Sequence, residues 1–262
     1  MFVDTHCHLD HPSLAGRLAE VLASARRAGV ERFVVPGVAP EGWEGIARLA
    51  SGKDAIFPAF GLHPLLAYRY SDGLLEELAR YARNAVAIGE IGLDYVVKEI
   101  SREEQIVAFR SQARLAVRMG LPVLIHCRRA FQDLLRIVKE ERLREVGGIM
   151  HAFSGSAEMA REFMKEGFLI SFGGTVTYGN AVKSPEVAAQ VQLDCLVLET
   201  DAPDMTPEPY RGQDNEPAFL AETARRVAGI RGITVAELAE TTTGNVLRLF
   251  GSWNFKNEQK KR

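Results

Sequence analysis

Eight short apolar runs, several of them rich in β-branched residues, alternate with helical patterns along this 262-residue chain. Each run starts 21 to 37 residues after the previous one, which leaves room for a strand, a loop and one crossover helix. This α/β alternation predicts a single (β/α)8 TIM barrel. A doubly wound open sheet is the alternative, because strand order cannot be read from one sequence. The runs are Phe2–His6, Arg32–Pro36, Ala55–Phe60, Ala85–Gly89, Pro122–His126, Gly147–Met150, Phe168–Phe172 and Cys195–Glu199.

The segments between these runs contain helix start and stop signals. A capping box at Ser101–Glu104 starts the longest predicted helix, which ends at Gly120, and a second box at Thr234–Glu237 starts the last one. Apolar residues at helical spacing between Leu14 and Ala25 predict a first helix that stops before Gly29.

Charge and composition exclude several classes of protein. Lys plus Arg total 32 and Asp plus Glu total 34, so the net charge of −2 excludes a generally basic nucleic-acid coat, although not a local nucleic-acid site. No apolar run approaches the roughly 20 residues of a membrane span, and no secretory signal is present, so we expect a cytoplasmic protein with no membrane partner. One domain is predicted at 1–252, followed by a frayed basic tail at 253–262, and no obligate protein partner is evident.

Five of the six histidines lie at or just after the ends of predicted strands, and two carboxylates do the same. In a barrel these strand ends surround one mouth, where active sites of this fold lie. Each residue alone could be structural, because a lone histidine after an apolar run is more often a partly buried packing residue than a functional one. The shared placement favours one site instead. The residues are His6, His8, His63, His126, His151, Glu90 and Asp201.

A metal centre explains this set best. His6 and His8 are two residues apart, so they point to the same face of a strand and can share one ion. Without a cation, the carboxylates would be poorly paired. Six candidate ligands exceed one tetrahedral zinc site and suit two divalent ions that share a carboxylate. Imidazole and carboxylate together favour Zn²⁺ or Mn²⁺, while Mg²⁺ would prefer fewer histidines.

Nine motifs in order along nearly the whole chain resemble the TatD family of metal-dependent hydrolases, deoxyribonuclease-like members of the amidohydrolase superfamily of barrels. Arg128-Arg129-Ala130 and Asp204-Met205 resemble the YjjV-like branch, and their place beside the mouth bears on substrate preference. The motifs are Asp4–Asp10, Gly61–Pro64, Gly89–Tyr95, Arg102–Gln112, Leu121–His126, His151–Ser156, Ser171–Gly174, Glu199–Pro203 and Asn215–Pro217.

The resemblance implies both a ligand set and a reaction. It implies a binuclear hydrolase of phosphodiester bonds, with 3′–5′ exonuclease activity on single-stranded DNA and in some members on RNA. It assigns His6, His8 and Asp201 to one ion, His126 and His151 to the second, and Glu90 to both.

Other residues near the mouth are candidates for substrate contacts and proton transfer. Asp201 is expected to orient the attacking water and accept its proton. His63 would donate to a phosphate oxygen, with a loop-packing role as the alternative. Arg128 and Arg211 are candidate phosphate clamps, because guanidinium matches phosphate bidentately. Asp94 is expected to orient a metal ligand.

Two other functions remain open. The same metal pair could act on the carbonyl or ester of a small molecule, as in a lactonase, an esterase or a phosphoesterase. A non-catalytic, metal-stabilised binding scaffold ranks last, because every candidate ligand and the candidate base are present.

Overall fold

The computed structural model describes residues 1–251, in which eight strands form one parallel sheet. Each strand pairs with the next one in the chain, so the order is that of a (β/α)8 barrel and the doubly wound alternative is wrong. The strands are β1 (Phe2–Asp4), β2 (Val30–Pro36), β3 (Ile56–Phe60), β4 (Ala87–Asp94), β5 (Val123–Arg128), β6 (Gly148–Met150), β7 (Phe168–Phe172) and β8 (Leu196–Leu198).

The chain just beyond β1 meets the chain at and beyond β8 and thereby nearly closes the barrel. The backbone N–H and the hydroxyl of Thr5 both donate to the carbonyl of Leu198, at 3.1 and 3.0 Å. The N–H of Asp201 donates to the carbonyl of His6 at 2.8 Å. The ends of the first and last strands are therefore tied together directly at the mouth.

Helices surround the sheet and start and end where the sequence signals lie. Both predicted capping boxes are confirmed, at Ser101 and Thr234, and Gly120 ends the longest helix in the left-handed conformation. The first predicted helix is instead two helices, because the chain turns at Gly16 and Arg17. The helices are α1 (Pro12–Ala15), α2 (Leu18–Arg27), α3 (Pro40–Ala50), α4 (Asp72–Ala82), α5 (Arg102–Met119), α6 (Phe131–Glu140), α7 (Ala157–Lys165), α8 (Lys183–Gln190), α9 (Leu220–Arg231) and α10 (Val235–Phe250).

The barrel interior is filled by one buried apolar residue from every strand, and Val246 of α10 packs against the same cluster. A packed interior leaves no channel through the barrel, so chemistry is confined to its mouth. The eight strand residues are Val3, Val34, Ala59, Ala87, Leu124, Ile149, Leu169 and Val197.

Strand β4 extends beyond the predicted run, which ended at Gly89. Pairing with β5 continues through Asp94 because Ile91 and Leu93 are also buried, with an irregularity in the register between Ile88 and Ile91. Glu90 therefore lies within a strand rather than after one.

Two expectations from the sequence concern membrane spans and the C-terminal tail. Among residues 1–251, no helix combines the length and apolar character needed to cross a bilayer. The predicted tail at 253–262 lies outside the described residues, and the domain boundary at 252 stays a prediction.

Candidate metal centre

The predicted ligands from five strands meet at the mouth of the barrel. His8, Glu90, His126, His151 and Asp201 all line one cavity of about 700 Å³. His6 lies beside them and is almost completely buried. The barrel thus brings together all six side chains for which the sequence predicts metal binding.

Glu90 is the centre of this group. Its Oε2 atom lies 3.3 Å from Nε2 of His6, and its Oε1 atom lies 3.0 Å from Nδ1 of His126. The same Oε1 is 3.4 Å from Nε2 of His63 and 3.8 Å from Nε2 of His151. Both carboxylate oxygens therefore face imidazoles on different strands, as a bridging carboxylate would.

Asp201 faces the group from the other side. Its Oδ1 lies 3.6 Å from Nε2 of His8 and 3.7 Å from Nε2 of His6, while its Oδ2 lies 3.8 Å from Nε2 of His151. Its backbone φ of +57° is a conformation that few non-glycine residues adopt. The contact between its N–H and the carbonyl of His6 fixes that conformation at the site.

The environment of His6 fits a cation. Its ring stacks on that of His151 with centroids 3.6 Å apart, and its buried Nε2 has no hydrogen-bond partner although two carboxylates lie near it. A buried nitrogen without a partner is costly, and a metal ion would satisfy it. Three sets of potential ligand atoms each lie within 4.8 Å of one another: His6, His8 and Glu90; His63, Glu90 and His126; and His6, His151 and Glu199.

These sets agree only in part with the ligand pairing that the family resemblance implies. His6 and His8 do lie with Glu90. His126, however, lies in a set with Glu90 and His63 rather than with His151. The division of the ligands between two ions therefore stays a prediction.

His63 lies close to Glu90, yet its hydrogen bonds favour a donor rather than a metal ligand. It precedes the short 3₁₀ helix Pro64–Arg69, and its Nδ1 accepts the N–H of Leu65 at 3.2 Å. A neutral imidazole with Nδ1 as acceptor carries its proton on Nε2. That Nε2–H faces the cavity and Glu90, so it can donate to a bound oxygen.

Contacts within the cluster shift several pKa values. Burial opposes ionisation of Glu90, but the neighbouring imidazoles of His63 and His6 outweigh this effect and hold the pKa of this carboxyl well below its usual range. The pKa of Asp201 is also lowered, because the neighbouring His151 and His8 outweigh the effect of its burial. Both carboxylates are consequently available as anions.

Glu199 is a functional candidate that the sequence analysis did not select. It is completely buried, and its Oε1 lies 3.0 Å from Nδ1 of His151 and accepts the N–H of Ala152 at 2.6 Å. Burial lowers the pKa of His151, but Glu199 and Asp201 more than offset this effect and raise it to about 10. The spacing of two residues between Glu199 and Asp201 was the sequence signal that could have identified Glu199.

Asp94 lies where the sequence analysis expected it. Its Oδ2 is 3.1 Å from Nε2 of His126 and 3.5 Å from Nη1 of Arg128. The backbones of β4 and β5 come close together two residues earlier, at Gly92, where φ is +147° and an added Cβ would lie 1.9 Å from the carbonyl oxygen of His126. Asp94 thus connects one histidine of the cluster with an arginine of the cavity wall.

The two predicted phosphate clamps differ in their position relative to the cavity. Arg128 lines the cavity. Arg211 is not among the residues that line it, because the guanidinium lies 3.6 Å from Glu208 and 4.5 Å above the ring of Tyr178. Local partners on its own loop and on the loop after β7 thus hold this arginine.

Comparisons with known proteins agree with this geometry. The family described as TatD-related DNase matches residues 3–251. The chain is 41% identical over 253 residues to the uncharacterized metal-dependent hydrolase YabD of Bacillus subtilis, which covers 95% of this chain and 99% of that protein. It is similar to the crystal structure of YjjV, a TatD homologue of Escherichia coli, with 36% identity, a TM-score of 0.90 and coverage of 95% and 97%. A TatD-family hydrolase of Entamoeba histolytica, 22% identical with a TM-score of 0.86 and coverage of 95% and 98%, shares the fold.

Proposed function

This chain belongs to the TatD-related DNase family of metal-dependent hydrolases, and we propose that it hydrolyses phosphodiester bonds, as a 3′–5′ exonuclease on single-stranded DNA. The observation that carries the proposal is the position of Glu90, whose two oxygens face imidazoles from four different strand ends. Activity on RNA is part of the same proposal, and we expect the enzyme to act in the cytoplasm.

We assign two divalent cations, Zn²⁺, Mn²⁺ or Mg²⁺, to this centre. When bound, such ions polarise phosphoryl oxygens and lower the pKa of water. The buried and unpaired Nε2 of His6 between two carboxylates supports this assignment. The residues that would hold the ions are His6, His8, Glu90, His126, His151 and Asp201.

The chain's own groups can perform the remaining steps. Asp201 lines the cavity and its lowered pKa keeps it ionised, so its carboxylate can orient a water, and we assign it the role of proton acceptor as well. The Nε2–H of His63 can donate to a phosphate oxygen, and the guanidinium of Arg128 can bind a second one. These three groups therefore have distinct tasks at one reacting phosphate.

A phosphodiester suits this cavity better than a small carbonyl substrate. Two donors, His63 and Arg128, face the cavity and match the oxygens of an anionic substrate, and the bound cations would offset the repulsion between that substrate and the carboxylates of the site. The cavity volume of about 700 Å³ lies within the range of sites for drug-sized ligands and accommodates a nucleotide.

The direct test uses single-stranded oligonucleotides labelled at either end, with metal-stripped protein and Mg²⁺, Mn²⁺ or Zn²⁺ added back. We expect metal-dependent shortening from the 3′ end, which is absent in Asp201→Asn. No cleavage with any ion, combined with turnover of lactones or simple phosphoesters, would establish the small-molecule hydrolase instead. Inactivity on every substrate with two ions bound would favour the binding scaffold.

A further inference from the structure

An exposed apolar surface borders the cavity on one side. Among residues 1–251, eight large apolar side chains are exposed, and four of them belong to the loops after β2, β3 and β4. Scattered apolar residues need no explanation, but four on three adjacent loops do. We call these four side chains the apolar ledge: Val38, Leu65, Tyr68 and Val96.

The ledge is continuous with the candidate metal centre. Val38 and Leu65 line the same cavity as Glu90. The N–H of His63 donates to the carbonyl of Val38 at 3.0 Å, and the N–H of Leu65 donates to the ring of His63 at 3.2 Å. A group bound at His63 therefore has the ledge directly beside it.

The ledge is built on a rigid support. Leu65 and Tyr68 are three residues apart in the 3₁₀ helix Pro64–Arg69, so their side chains line up along one edge of it. Ala67 on the other side of this helix is buried against Ile100 and Ala108. Tyr68 is 62% exposed even though the helix beneath it is anchored.

Beside apolar residues such as Met205, the opposite side of the cavity contains polar side chains. Arg128, Ser154 and Asp204 line it, on loops or strand ends from β5, β6 and β8. A ligand with an anionic part and a flat apolar part would match both sides at once. A nucleotide at the end of a single strand has this chemistry, because its unpaired base presents a π-face that stacks on aromatic and apolar side chains.

We infer that the apolar ledge binds the 3′-terminal nucleobase of a single-stranded substrate while its phosphate lies between His63 and Arg128. This inference rests on the proposed phosphodiesterase function and adds a subsite to it.

The test compares two oligonucleotides that differ only at the 3′ end, where one has a thymine nucleotide and the other an abasic residue. We expect wild-type kcat/KM to favour the thymine end by about tenfold, the effect of stacking one base. In Leu65→Ser and Tyr68→Ser this ratio should fall towards one. Val107→Ser, which removes an equally exposed apolar side chain from α5, should retain the wild-type ratio.

Other results would overturn the inference in distinguishable ways. A wild-type ratio near one with good cleavage of both ends would remove the base subsite and leave the proposed function standing. No cleavage of either oligonucleotide would contradict the proposed function, and the subsite with it. A ledge variant that changes the sedimentation coefficient and not the ratio would show that the ledge joins two copies of the chain.

Discussion

The side-chain amide of Gln112 pairs with both backbone groups of Leu62, the residue before His63. Its Oε1 accepts the N–H of Leu62 at 2.7 Å, and its Nε2 donates to the carbonyl at 3.1 Å. Gln105, two turns earlier on α5, makes the same pair of bonds with Asp94, at 2.7 and 2.9 Å. One helix therefore fixes the backbone at two separate points of the site.

Replacement of Gln112 by leucine should impair both stability and turnover. The buried N–H and carbonyl of Leu62 would lose their partners, at a cost of about 1–3 kcal/mol for each group. The displaced His63 should lower kcat by roughly tenfold to a hundredfold, because small misplacements of a catalytic group are costly. Urea unfolding and steady-state kinetics measure the two effects.

Thr242→Val is the control for this variant. It removes a buried hydroxyl that donates to the carbonyl of Leu238 within α10, away from the cavity. It should lower the free energy of unfolding and leave kcat near the wild-type value. Equal loss of kcat in both variants would show that Gln112 acts only through stability.

Asp201→Asn should abolish turnover while the protein stays folded. The amide keeps the size of the side chain, and asparagine tolerates the positive φ at this position, but the proposed proton acceptor is lost. We expect kcat to fall by about a hundredfold or more. Asp204→Asn, which removes a carboxylate from the same cavity, should have a much smaller effect. Wild-type-like turnover by Asp201→Asn would exclude it as the base.

His6→Ala should lower the metal content of the purified protein. His6 is the buried imidazole whose Nε2 lies between Glu90 and Asp201, so its loss removes a candidate metal ligand from between the two carboxylates. Elemental analysis should find fewer ions per chain than in the wild type. The sixth histidine, His11, caps α1 outside the cluster, so His11→Ala should bind the wild-type amount. Two ions per chain in His6→Ala would contradict the assignment.

The barrel and the gathering of the histidines were predictable because both depend on patterns that are local in sequence. Alternating runs and helices specify a parallel barrel, and the barrel rule then places all strand ends at one mouth. His8 after β1 and His151 after β6 are 143 positions apart in the chain, yet both line one cavity.

The contacts of the individual side chains in and around the site were not predictable, because they depend on side-chain directions and on pairs of residues distant in sequence. The donor role of His63 was one of two alternatives, and the geometry favours it only through the N–H of Leu65. The contact between Glu199 and His151 joins residues that are 48 positions apart, so it could not be read from the sequence. Arg211 was selected by residue type and loop alone, although Glu208 three residues earlier offers it a local partner.

The raised pKa of His151 makes the stability of the metal-free protein depend on pH. Glu199 and Asp201 overcome the effect of burial and raise this pKa from 6.5 to about 10. As the pH rises, the unfolded state therefore releases this proton at a lower pH than the folded state does. The resulting stabilisation is complete below pH 6.5 and is lost as the pH rises through about 10. Urea unfolding in the presence of a chelator should therefore show a free energy of unfolding that falls over this range.

Glu199→Gln should weaken this dependence, because it removes the main charge that holds the proton on His151. Glu76→Gln, an exposed substitution on α4, should retain the wild-type slope. A metal ion must displace the same proton in order to use the ring, so calorimetry at pH 7 should detect proton release on metal binding. That release should be smaller in Glu199→Gln. A wild-type release and slope in this variant would show that Glu199 does not control the protonation of His151.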